Sequence, residues 1–170
     1  MATIACVDYR RTDQRKNVLE NPFWLTSGIV SCATATAKGA LLFSFPTAGQ
    51  IILVQEVIVQ NIVAATGGNT VDVGSGTIAT DAVTTAGNIT IVDLDEYFVR
   101  SDYVVTAATI MGSTTANTSD WLTAAAAHTY AAPRFITGAA TDVPVIYATV
   151  GTATAGTFRV HVLVTILPGT

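Results

Sequence analysis

Residues 50–74, QIILVQEVIVQNIVAATGGNTVDVG, restrict the fold more than any other stretch of the chain. Val and Ile are stiff at the first side-chain torsion and suit a pleated, mostly buried surface. Successive side chains of an extended chain point to opposite faces, so Val57 and Val59 share one side while Ile58 and Ile62 share the other. The Gly67-Gly68-Asn69 run tolerates positive φ and is expected to reverse the chain into a short return strand over residues 70–73. A long strand, a glycine turn and a return strand predict a first hairpin.

The last third carries a second signal of the same kind. Residues 143–150 read VPVIYATV and residues 157–167 read TFRVHVLVTIL, with GTATAG between them. The second segment alternates, with Phe158, Val160, Val162, Val164 and Ile166 on one face and Arg159, His161, Leu163 and Thr165 on the other. That pattern predicts a closing hairpin with one core face and one half-wet face. Shorter strand signals lie at residues 41–45, bounded by PTAG, at 88–93, NITIVD, and at 103–111, YVVTAATIM. Residues 74–87 have no firm period and read as a surface excursion. Residues 112–120, GSTTANTSD, read as a polar loop, and residues 121–127 as a short helix capped by Asp120. At 170 residues the chain has the usual size of one domain. Several strands joined by Gly- and Thr-rich turns predict an all-β fold, an antiparallel two-sheet sandwich that is jelly-roll-like.

Residues 1–39 read differently, as an extended N-terminal arm preceding a β-sandwich body at residues 40–170. The NPFWL segment sets Phe23 and Trp24 after a proline, and two such rings seldom stay in water without a pocket to fill. Ser, Ala and Thr alternate over residues 31–37, too small to build a core around them. The rings are therefore expected to dock on a sheet, that of an adjacent subunit or of a larger shell, and removal of residues 1–39 is expected to leave the body folded. Charge follows the same division. Arg10, Arg11, Arg15 and Lys16 are four of the eight basic residues, whereas from residue 41 onward three arginines face nine acids, a net of −6. A solvated, mobile arm is one reading; a basic arm laid on the acidic body of a neighbour is the other. The candidate partner-binding residues are accordingly Arg10, Arg11, Arg15, Lys16, Phe23 and Trp24. Asp8, Asp13 and Glu20 dilute the basic run, which lacks the stripe expected of a nucleic-acid binder.

Charged residues are only 12% of the chain, about half the usual share, while Thr, Ala and Val number 28, 26 and 20. So few long charged side chains leave sheet edges and flat faces prone to association, which predicts faces covered by partners and a symmetric homo-oligomer, a trimer by preference. No apolar run approaches the ~18 residues of a membrane-spanning helix, and residues 1–16 lack the continuous apolar stretch of a secretory signal. Chemistry is sparse. Cys6 and Cys32 have no metal-ligand spacing and read as reduced, small apolar residues, with a bridge between them left open. His128 and His161 each lack a second ligand at metal spacing. Gly74-Ser75-Gly76 reads as a loop rather than a phosphate cradle, since no Lys-Ser/Thr follows. Asp93, Asp95 and Glu96 form a tight acidic cluster, but without the calcium-loop pattern. No nucleophile, base and orienting group occur together in a recognisable motif, so neither catalysis nor a cofactor is expected.

A charge-poor, Thr/Ala/Val-rich chain with a strand, glycine turn and VDVG return at residues 56–74, and a strand pair over residues 145–166, resembles the small β-rich virion proteins of tailed bacteriophages. It is most similar in style to capsid decoration, or cement, proteins. That resemblance implies a β-sandwich or related fold and oligomers seated on the outside of a capsid shell. It also implies the major capsid protein as partner, a virion location after synthesis in the host cytoplasm, and no catalytic residues. The alternative from another class is a phage tail or fibre adhesin domain that binds a host glycan, with Tyr97, Tyr103, Trp121 and Tyr130 as its candidate aromatics.

Overall fold

The computed structural model describes residues 3–10, 22–45, 51–66, 71–79, 87–98, 111–113, 134–137 and 142–167. In chain order the elements are β1 (Thr3–Asp8), β2 (Phe23–Thr26), β3 (Val30–Ser31), α1 (Cys32–Ala37), β4 (Gly39–Ser44), β5 (Ile51–Thr66), β6 (Val71–Ala79), β7 (Asn88–Phe98), β8 (Met111–Ser113), β9 (Arg134–Thr137), β10 (Asp142–Val150) and β11 (Ala155–Leu167). Among the described residues the fold is all-β apart from one short helix. Its strands form two bodies: a closed five-stranded barrel in the order β1-β4-β10-β6-β7, and a six-stranded sheet in which β11 and β5 lie side by side. In that sheet β2 and β3 pair with β11, and β8 and β9 pair with β5. A barrel on a sheet replaces the two-sheet sandwich expected from the strand count.

Two apolar clusters hold these bodies. The smaller fills the barrel, with Cys6 from β1, Leu41 from β4, Ile78 from β6, Ile89 from β7, and Val143, Val145 and Tyr147 from β10. The larger lies between barrel and sheet and joins Leu42, Val71, Val73, Ile146 and Ala148 to Val54, Val57, Val59, Phe158, Val160, Val162 and Val164. Strand β10 therefore sends alternate side chains into both clusters, which is why VPVIYATV is apolar almost without interruption. Pro144 fits because it sits where pairing with β4 ends; its carbonyl accepts the Phe45 N–H at 3.0 Å. On β5 the buried set runs Ile52, Val54, then Val57, Val59, a change of parity. A bulge absorbs it: Val54 pairs with Val164 and Glu56 with Leu163, leaving Gln55 as the extra residue. The expected faces of β11 and of residues 57–62 are those observed.

Neither expected hairpin forms. β5 and β6 follow each other in sequence, yet β5 belongs to the sheet and β6 to the barrel. β10 and β11 divide in the same way. Instead β5 pairs with β11, Val59 opposite Val160, and β6 pairs with β10, Val73 opposite Ala148. The chain thus crosses the core twice, and the two crossings stack on each other. Alternation reports which face of a strand is buried but not which strand lies beside it, so it cannot separate a hairpin from such an arch. At the second crossing Gly156 holds φ +107, and a Cβ there would lie 2.6 Å from Ala65 Cα. Thr154 N–H donates to the Thr66 carbonyl at 2.9 Å, tying this crossing to the end of β5.

The described parts of residues 1–39 are built into both bodies, which corrects their reading as an arm set apart from the body. β1 lies between β4, its parallel partner, and β7, its antiparallel one, and so closes the barrel. β2 adds to the sheet, with Phe23 opposite Val164. Ser27 is fully buried: its N–H donates to the Val160 carbonyl at 2.9 Å and its Oγ accepts the Val160 N–H at 3.0 Å. Residues 32–37, read as extended, form α1, with Ser31 as N-cap and Cys32 and Ala35 buried. The Thr36 hydroxyl meets the Ala153 backbone, so the helix sits on the β10–β11 connection. Small side chains do not build a core, but they let a helix approach one closely. The excursion expected at residues 74–87 also shortens, because β6 continues to Ala79. Residues 103–110, and the expected helix at 121–127, lie outside the described residues.

Two outcomes follow. Deleting residues 1–39 removes a barrel stave and β2 together, so the truncated chain should lack a cooperative urea transition and a native-like circular dichroism spectrum. At Gly76 of β6 a Cβ would lie 2.6 Å from Ile89 Cγ2 and 2.7 Å from the Thr90 carbonyl oxygen. Gly76→Ala should therefore lower unfolding stability by roughly 1–3 kcal/mol, the usual range for overpacking, as read from the shift in urea midpoint.

Candidate interaction surface

Among the described residues, the outer face of the six-stranded sheet, where β2, β11 and β5 run side by side, is a candidate surface for a partner. Registers set its rows: Trp24 of β2 opposite Leu163 of β11, itself opposite Glu56 of β5; and Thr26 opposite His161, itself opposite Ile58. The inward face of the same strands packs into the larger core, so these side chains can only point away from it. Leu163 and Ile58 are half-buried and Trp24 is 48% exposed. The two aromatics proposed as anchors therefore part company. Phe23 packs against the chain's own core, and Trp24 turns outward beside Leu163.

His161 is locked in the middle of this face. Its Nδ1 lies 3.0 Å from Thr26 Oγ1 and its Nε2 3.0 Å from Gln60 Oε1, a lateral link through three strands. Because Gln60 Oε1 can only accept, Nε2 carries the proton, and Nδ1 accepts from the Thr26 hydroxyl. Burial, together with the Arg159 charge, pushes the imidazole pKa below its ordinary value. The ring is a packing histidine, and neither of its partners is a nucleophile's acid or base. This network was missed from sequence, although His161 sits on the wetter face of an alternating strand, the signal that placed it at the surface.

Of the basic candidates, Arg10 is engaged within the chain. Its Nε lies 2.9 Å from Asp8 Oδ1, it forms an ion pair with Asp8 through Nη2, and its Nη1 donates to Ser44 Oγ at 2.7 Å. Burial works to raise the Asp8 pKa, but the hydrogen bonds and charge of Arg10 outweigh it and the carboxyl is lowered. Arg11, Arg15 and Lys16 lie outside the described residues; of the other candidates, Phe23 and Trp24 are neighbours on β2 that face opposite ways, and Arg10 follows β1 and binds Asp8 and Ser44, so they form no common patch.

The remaining chemical candidates are structural where they are described. Cys6 belongs to the barrel cluster and Cys32 to the larger one, so the bridge left open from sequence does not form. Burial raises both thiols, Cys32 to about 11, and the Cys6 thiol donates to the Gly87 carbonyl at 2.8 Å. Neither is an exposed thiolate. Gly74-Ser75-Gly76 is part of strand β6, with Ser75 buried, rather than a loop. Among the described residues no group of three His, Cys, Asp or Glu side chains could hold a metal. The side chains of Asp93, Asp95, Glu96 and Tyr97, and residues Tyr103, Trp121, His128 and Tyr130, lie outside the described set.

No protein-family model matches the sequence, and no curated protein matches it. A solved structure described as "Cyanophage Pam1 capsid asymmetric unit" is similar, with 14% identity, a TM-score of 0.46, and coverage of 93% of this chain and 97% of that chain.

The split between the two aromatics has a measurable consequence. Phe23→Ala removes a ring packed on the core and should cost about 1.5–3 kcal/mol of unfolding free energy, the burial of a large apolar side chain. Trp24→Ala removes a half-exposed ring and should cost less than about 1 kcal/mol. Urea denaturation of the two variants beside the parent chain gives both values.

Proposed function

We propose that this chain is a structural virion protein of a tailed bacteriophage, a decoration protein that binds the outside of the assembled capsid shell and stabilises it. The observation that carries this reading is the outward-facing apolar pair of Trp24 and Leu163 on the six-stranded sheet. Such a pair is a surface for holding another protein rather than for transforming a small molecule. The scarcity of charge on the whole chain supports the same reading, since few long side chains need to be immobilised when such a surface is covered. In this reading the chain acts as a homo-oligomer, a trimer by preference, with the major capsid protein as partner. A protein that binds only the assembled shell stabilises it by mass action, and several chains seated together turn weak single contacts into firm attachment.

The test is sedimentation of purified protein with shells that lack it. Parent protein should co-sediment at saturable stoichiometry and raise the temperature at which the shells rupture. Trp24→Ala should fold normally but bind with about 10- to 100-fold lower affinity, the effect of losing roughly 1.5–3 kcal/mol of apolar burial. Binding to tail fractions or host glycans with none to shells would overturn this reading.

A further inference from the structure

Strand β2 is short, with four residues and one pairing partner among the described strands; Phe23 and Leu25 hold its inner face on the core, and one described side-chain link holds its outer face. That link is Thr26–His161–Gln60, and among the described residues of this face its central member is the group whose charge changes near neutral pH. We propose that His161 makes the seating of β2 pH-sensitive, holding the strand when the ring is neutral and loosening it when the ring is protonated.

The hydrogen bonds define what protonation must undo. In the neutral ring the Thr26 hydroxyl donates to Nδ1 while Nε2–H donates to Gln60. A second proton on Nδ1 turns that nitrogen into a donor, so the Thr26 hydroxyl must swing its own proton away and accept instead. The ring then carries a full charge at a half-buried position. The surroundings oppose that charge. Arg159 lies two residues away on the same face of β11, its Nε is buried with no hydrogen-bond partner among the described residues, and its charge lowers the imidazole pKa. Strand β5 contributes Ile58 and Gln60 opposite or beside the ring, and one acid, Glu56, which stands opposite Leu163 rather than His161. Strand β2 contributes Phe23–Thr26 and β8 contributes Met111–Ser113, neither with an ionisable side chain. Cation beside cation, with no acid directly opposite among the described residues, is the arrangement that strains first on acidification.

The sign agrees with the direction of the ring's pKa. A histidine lowered from its ordinary 6.5 in the folded chain binds protons more readily when released. Its neutral-state contribution is therefore complete above the ordinary value and is lost as pH falls from there through the lowered folded value.

Hydrogen exchange of the full chain tests the proposal through protection factors, which remove the intrinsic pH dependence of exchange. Between about pH 7.5 and about pH 5, amides of residues 23–27 should lose protection several-fold relative to barrel amides such as those of Ile89 and Tyr147. In His161→Gln, which keeps a polar side chain but cannot titrate, the selective loss should vanish. In Arg159→Gln it should persist but diminish, and that variant decides the matter if His161→Gln does not fold. Equal loss at β2 and in the barrel in the parent chain, or an undiminished selective loss in either variant, would overturn the proposal.

Discussion

Everything in this fold depends on the chain crossing its own core twice, once between β5 and β6 and once between β10 and β11. Each crossing delivers one strand to the sheet and the next to the barrel, and the crossings stack so that β5 lies against β11 and β6 against β10. The larger core is built on these four strands, with β3, α1 and β4 adding to it. Remove the stacking and neither body is complete, because the sheet loses its central pair and the barrel loses two adjacent staves. Gly156 serves this geometry, since any side chain there would meet Ala65.

Once the four central strands are in place, the N-terminal residues complete both bodies. β1 closes the barrel by pairing in parallel with β4 and antiparallel with β7, and β2 extends the sheet beyond β11. Closure matters for a chain with so little charge, because an open barrel edge would invite pairing with other chains. Among the described residues the sheet is flanked by strands of two to four residues that cover β11 and β5 in part. That cover limits association along the backbone and leaves the side chains of the outer face as the means of holding a partner. The same face carries a rigid histidine link, so the residues proposed to bind and the residues that fix their strand in place are neighbours.

Much of this was legible from residue order, and the limits have physical causes. The faces of β11, the strand character of residues 41–45, 88–93 and 143–150, and the placing of Val57 and Val59 followed from alternation and β-branched content. The partners of those strands did not, since a period of two is identical in a hairpin and in an arch. Phe23 and Trp24 were recognised as rings in need of a surface, but only the register with β11 shows that one is used inside the chain and the other is left outside. Asp8 and Arg10 lie close in sequence, and the ion pair they form is invisible to a count that treats basic residues as a patch. The Thr26–His161–Gln60 link joins residues from three strands, none of which announces the others.

Cross-strand proton contacts measured by NMR test the double crossing most directly. The account predicts close backbone contacts between Val59 and Val160 and between Val73 and Ala148, with none between β5 and β6 or between β10 and β11. A ladder of contacts joining β5 to β6 across residues 67–70, in hairpin register, would contradict it.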